Sequence, residues 1–176
     1  NASVPKEVAN QELMNLLNLL KSKQGIHDEK KRIFLLGSVM DNTDFIDVIE
    51  QSGGLVVSDF LCFGMRSFLD DVEITQDSNP LEGIIKRVYN RMSCPRMMDD
   101  HQRRLKFVQD EIKRAKIDGV IAQTISNCDL HGCENMMLKH ELNELDIPVF
   151  TIDRENFQKD YTRIQTRLEA FMEMLK

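Results

Sequence analysis

The sequence predicts an α/β domain: an open, four-stranded, all-parallel sheet flanked by helices in three layers, with an additional helix at the N-terminus. Three observations predict it. Four short apolar runs read as buried strands: "RIFLLGS" (32–38), "LVVSDF" (55–60), "DGVIAQTI" (118–125) and "IPVFTID" (147–153). Segments with apolar residues at helical spacing separate these runs. The first two runs enclose a short helical segment within about thirty residues, a βαβ unit whose strands are parallel neighbours.

The elements follow in order. In "NQELMNLLNLLKSKQG", Leu13, Leu16, Leu17 and Leu20 share one helical face, and Gly25 can stop the helix. "HDEKK" is a polar connector into the first strand, which ends at Gly37. Asp41, Asn42 and Thr43 are candidate caps for a helix carrying Phe45, Val48 and Ile49, with Gly53 and Gly54 able to end it. After the second strand comes an irregular stretch, 61–79. Asn79 then caps a helix with Pro80 at its first position, and Leu81, Ile84, Ile85, Val88 and Met92 are expected on its inner face. "SCPRMMDD" breaks the chain before a helix with Leu105, Val108, Ile112 and Ala115 inward. Leu138, Leu142 and Leu145 mark the helix after the third strand. Ile164, Leu168, Phe171, Met172 and Leu175 mark the last one. Residues 32–176 thus read as one domain, and 1–31 as a leading helix and connector whose first two residues resemble an expression remnant.

Composition narrows the functional classes. The 176 residues are 41% hydrophobic and 30% charged, the balance of a globular domain. A formal charge of −6 argues against a nucleic-acid binder, since nothing offsets phosphate repulsion. The densest basic stretch, "HQRRLK" (101–106), reads as a solvated helix face. No apolar run approaches the ~20 residues of a membrane span. Four cysteines with no secretory signal point to a reducing compartment, the cytoplasm, and none forms a C-x-x-C pair. The ten methionines are explained as core filling.

In an open parallel sheet, chemistry belongs at the carboxyl ends of the strands. The loops there are "GSVMDNTD", "LCFGMR", "SNCDLHGC" and "DRENF". The first lacks G-x-G-x-x-G and is acidic where a pyrophosphate would sit. No P-loop and no G-x-S-x-G elbow occurs, and Asp41 and Asp129 lie too far past their strands for a phosphoryl receiver. What does converge on this edge is sulfur: Cys62 and Cys128 follow strand ends, and Cys94, in a break between helices, can fold back toward them. Thiolates suit iron–sulfur clusters, and three of them would leave one iron open. Each residue also has a plainer reading: a cysteine as a small buried hydrophobe, His131 as a first-turn helix residue, Arg66 as an anion site or a partner of Asp70.

With those residues in place, the chain resembles the benzoyl-CoA reductase and 2-hydroxyacyl-CoA dehydratase subunits. "RIFLLGSVMD" resembles the family's strand and Gly-Ser turn, with Ser38 in it. "VVSDFLCFGMRSF" resembles its D-x-x-C-x-G-x-R segment in Asp59, Cys62, Gly64 and Arg66. "MSCPRM" resembles its Cys-Pro break, and "GVIAQTISNCDLH" with "ENMMLKHEL" its strand, Cys-Asp loop and helix. "TRLEAFMEML" resembles its closing helix. Two positions depart: Leu130 stands where proline is usual, and Thr162-Arg163 where Gly-Gln is common.

The resemblance implies the C-terminal domain of a larger two-domain subunit, Rossmann- or flavodoxin-like in fold, whose halves clasp a [4Fe–4S] cluster. Cys128 is the implied iron ligand; Cys62 and Cys94 match family positions as ligands or supports, and Ser38 and Arg66 as substrate contacts. It implies removal of water from a (R)-2-hydroxyacyl-CoA through a ketyl radical, after one-electron activation by an ATP-hydrolysing iron–sulfur protein. The implied partners are the missing N-terminal domain, a second homologous subunit, the activator and the acyl-CoA. An aryl-CoA reductase subunit, a non-catalytic iron–sulfur electron-transfer protein and a metal-free binding module are the alternatives.

Overall fold

The computed structural model describes residues 4–23, 25, 30–40, 42–73, 79–155 and 160–175. Asp41 and most of the 27–31 connector lie outside them. After α1 (Lys6–Ser22) come β1 (Lys31–Gly37), α2 (Asp44–Gln51), β2 (Gly54–Leu61), α3 (Pro80–Asn90) and α4 (His101–Ala115). β3 (Gly119–Ile125), α5 (Asp129–Asn143), β4 (Val149–Arg154) and α6 (Thr162–Met174) complete the order. The four strands form one sheet in the order β2-β1-β3-β4, every pair parallel. The expected α/β class, strand count and leading helix are therefore present.

Strand alternation sends side chains to two faces, and a helix layer covers each. On one face Ile33, Leu35 and Ile121 meet Phe45 and Ile49 of α2 and Ile164, Leu168, Phe171 and Met172 of α6. On the other, Phe34, Leu36, Val120 and Ala122 meet Val108 and Ile112 of α4 and Leu138 and Leu142 of α5. The helices after β1 and β3 thus lie on opposite faces, so the winding reverses between these two central strands.

That reversal is tightly sealed. Gly37 has φ +125°, and a Cβ there would stand 1.8 Å from the Gln123 carbonyl oxygen. Only glycine fits both the conformation and the space. Ser38, 1% exposed, continues the seam: its N–H donates to the Gln123 carbonyl (3.2 Å), and its Oγ accepts from Ile125 N–H (2.6 Å). Gln123 Nε2 returns a bond to the Ser38 carbonyl (2.6 Å), and Arg154 Nε donates to Gln123 Oε1 (3.1 Å).

Several expectations need correction. Leu81, Ile84, Ile85 and Val88 do not face the core but stand exposed; α4 takes the sheet face in the β2–β3 crossover, so α3 keeps its apolar stripe outside. Among the five, Met92, just past the helix, is buried. No residue of α1 is buried, so among the described residues the face shared by Leu13, Leu16, Leu17 and Leu20 covers nothing. α1 ends at Ser22, before Gly25. Leu145 is exposed because α5 ends at Asn143. The 101–106 stretch is not a solvated face throughout: His101 and Arg104 are buried. Among the described residues, no helix is long and apolar enough to cross a membrane.

Gly37→Ala should therefore destabilise the protein by roughly 3 kcal/mol or more, through clash and backbone strain together. Gly53 also has positive φ (+96°) but open space around it. Gly53→Ala should cost only about 1 kcal/mol. Urea denaturation of the two variants measures the difference.

Candidate functional site

Cys62 follows directly on β2, and its loop is shaped by Asp59. Asp59 Oδ1 accepts from the N–H groups of Leu61 (3.2 Å) and Met65 (2.9 Å), folding the chain around the carboxylate. Gly64 passes so close that a Cβ would lie 1.7 Å from that oxygen. The D-x-x-C-x-G spacing is thus a turn in which the acid binds backbone and the glycine makes room. A short 3₁₀ turn, Met65–Ser67, then carries Arg66 inward. Arg66 donates to the carbonyls of Ser93 and Cys62 (3.4 Å each) rather than to Asp70.

Cys128 stands at the N-cap of α5, its N–H bonded to the Ile125 carbonyl (3.0 Å) and its carbonyl accepting from Gly132 (3.0 Å). Asn127, at φ +69°, makes the turn out of β3. One turn into α5, His131 reaches across to the second strand's loop, its Nε2 3.2 Å from Cys62 Sγ. Arg66 ties the Cys62 carbonyl to that of Ser93, beside Cys94, and His131 of α5 touches Cys62, so the segments that carry Cys62, Cys94 and Cys128 come together at one rim. Cys133 is exposed on α5.

Burial pushes the Cys62 thiol up, as do Cys94 and Cys128, while the Arg66 guanidinium pulls it down. His131, only 4% exposed, is pushed down to about 4, first by burial and then by Arg66. Its Nδ1 is buried with no hydrogen-bond partner among the described residues. Cys62 and His131 therefore meet as thiol and neutral imidazole, not as an ion pair of the kind that activates a nucleophilic cysteine.

Behind the rim lies a charged network that sequence reading missed. Ser93, next to Cys94, donates through N–H (2.9 Å) and Oγ (2.8 Å) to Asp100 Oδ2. Burial opposes ionisation of Asp100, but these bonds, with Arg103 and Arg104 nearby, hold its carboxyl below the usual range. Arg104 binds both oxygens of Glu134 (2.6 and 3.1 Å). His101 touches Glu134 (3.1 Å) and Glu141 (2.9 Å). A signal was present: Arg104 lies one turn before Val108 and two before Ile112, and Glu134 one turn before Leu138 and two before Leu142. Extended upstream, both apolar stripes land on a charge.

Among the described residues no three His, Cys, Asp or Glu side chains converge on a single metal ion. The donor set, three soft thiols on separate loops with a buried imidazole against one of them, fits part of a polynuclear iron–sulfur cluster, in which each thiolate takes its own iron. Unfolding should become easier as pH falls from 6.5 toward 4. Unfolded His131 then takes a proton that the folded form refuses, for a loss on the order of 3 kcal/mol. His131→Asn should flatten that part of the stability–pH curve in urea titrations.

A protein-family profile described as 2-hydroxyglutaryl-CoA dehydratase, D-component, matches residues 1–175. The chain is 23% identical over 171 residues to the (R)-phenyllactyl-CoA dehydratase beta subunit of Clostridium sporogenes, a match covering 97% of this chain and 45% of that protein. It is 20% identical over 145 residues to the lactoyl-CoA dehydratase subunit beta of Anaerotignum propionicum, covering 82% of this chain and 38% of that protein. The chain thus spans less than half the length of these curated relatives. With the strand-end thiol loops and the profile in agreement over nearly its whole length, the chain belongs to the 2-hydroxyglutaryl-CoA dehydratase D-component family.

Proposed function

We propose that this chain is the C-terminal domain of a 2-hydroxyacyl-CoA dehydratase subunit and supplies ligands to a [4Fe–4S] cluster shared with an upstream companion domain. The observation that carries the reading is the joining of the segments that bear Cys62, Cys94 and Cys128, through the Arg66 bonds to the Cys62 and Ser93 carbonyls and the contact of His131 with Cys62. The dehydratase names of both relatives favour this branch over aryl-CoA reduction.

In this reading Cys128, fixed at the first turn of α5, is the principal ligand. Cys62 and Cys94 are further ligands or close supports. Metal binding would replace the Cys62 proton that burial otherwise retains. When bound, the cluster supplies one-electron and Lewis-acid chemistry at the thioester. Arg66 counters charge on Cys62 and fixes its loop through the carbonyl. Arg66, in the loop after β2, is the proposed polar contact toward substrate; Ser38, 1% exposed and bonded through its hydroxyl to Ile125 N–H, instead holds the strand ends that line the crevice. His131, neutral at physiological pH, holds the Cys62 sulfur without adding charge.

The rim is also sticky. Phe63 beside Cys62 is 80% exposed, and Met97, Met98 and Leu130, near Cys94 and Cys128, are exposed too. Apolar side chains gathered at a polar rim mark a surface that another surface covers. The companion domain, a second homologous subunit and an ATP-hydrolysing activator are the proposed partners, and a (R)-2-hydroxyacyl-CoA the proposed substrate.

In the full-length subunit, Cys128→Ser should abolish the cluster's visible absorbance and most bound iron, whereas Cys133→Ser should leave both unchanged. Unaltered iron in Cys128→Ser would remove Cys128 from the ligand set. The 176-residue chain alone should hold little iron and show no turnover after anaerobic reconstitution. Stoichiometric iron and sulfide in it would contradict a shared site.

A further inference from the structure

The buried charges between α4 and α5 do not contribute to the chemistry above, yet they reach the thiol rim. Arg104 is 1% exposed and sits on the face that carries Val108 and Ile112. Its guanidinium is used on every side. Nε and one terminal nitrogen fork onto Glu134, and the other donates to the Met97 carbonyl (3.0 Å) and the Ser93 hydroxyl (3.4 Å). Those last two acceptors bracket Cys94 and Pro95. Glu134 lies on α5 one turn beyond His131, the residue in contact with Cys62. Arg66 holds the same segment as well, linking the Ser93 and Cys62 carbonyls.

Stability alone does not account for this arrangement. A buried ion pair is often replaced by apolar side chains with no loss, because desolvation offsets attraction. An apolar pair could fill the space between α4 and α5, but it could not hold Met97 or Ser93. The break 91–100 contains only a single 3₁₀ turn, Met98–Asp100, and has few apolar anchors of its own.

We propose that Arg104 is a positioning residue for the thiol rim: anchored by Glu134, its guanidinium fixes the Ser93–Met97 segment and thereby places Cys94 relative to Cys62 and Cys128. The role rests on the cluster reading for its consequence but not for its geometry.

The test uses full-length subunit freed of iron. Alkylation of each cysteine is followed by mass spectrometry, and global stability by urea denaturation. Arg104→Met with Glu134→Gln removes both charges and leaves His101 an acceptor. Its urea midpoint should stay close to that of the parent, while Cys94 alkylation accelerates about tenfold or more and Cys133 is unchanged. Arg104→Lys keeps the charge without the planar fork and should give a smaller acceleration at Cys94. It also decides the matter if the double variant does not fold. An unchanged Cys94 rate, or a uniform rise at all four cysteines that tracks lost stability, overturns the proposal. In reconstituted protein, Arg104→Lys should also shift the cluster's electron paramagnetic resonance signal. A subunit that binds no iron yet shows the selective Cys94 effect would sink the cluster reading and leave this one standing.

Discussion

The close approach of β1 and β3 is the constraint from which the rest follows. Where Gly37 passes the Gln123 carbonyl there is no room for a side chain, and Ser38 and Gln123 lock the two strand ends with reciprocal bonds. Helices leave these two strands toward opposite faces, so a crevice opens beyond their carboxyl ends. Parallel pairing then brings the ends of β2 and β4 to the same edge. The Cys62 and Cys128 loops leave β2 and β3, the two strands that flank β1, and so open on the same edge of the sheet.

The two helix layers differ in kind. The α2/α6 face packs mainly by apolar contact, with Phe45, Leu168 and Phe171 at its centre. The α4/α5 face begins apolar, at Val108 and Leu142, and turns ionic nearest the thiols, at Arg104, Glu134 and His101. Apolar contact is non-directional and tolerates small shifts. Hydrogen bonds between charged groups are directional and specify position. The directional interactions lie where position matters to the rim.

The fold was largely legible in the sequence because strands buried on both faces read as continuous apolar runs, and all four such runs became strands. The Asn79-Pro80 start of α3 was equally readable, and Asn79 Oδ1 does accept from Leu81 N–H (3.0 Å). The inward face of α3 was misread because periodicity tells that a helix has an apolar side, not what that side meets. The convergence of Cys62 and Cys128 followed from strand polarity. The contact between Cys62 and His131 did not, since it depends on α5 leaning across from a different crossover. Arg104 and Glu134 escaped notice because charge is ordinarily read as solvated, and only its phase with Val108 and Leu138 marks these two as inward.

Neither apolar cluster contains a cysteine. Sheet and helix layers can therefore close while every sulfur is still empty-handed. In the proposed reading, iron would arrive late, as a clasp on a finished frame, joining three connections far apart along the chain. Its loss would slacken the mouth and spare the body, so such a protein could be stripped and recharged without passing through the unfolded state.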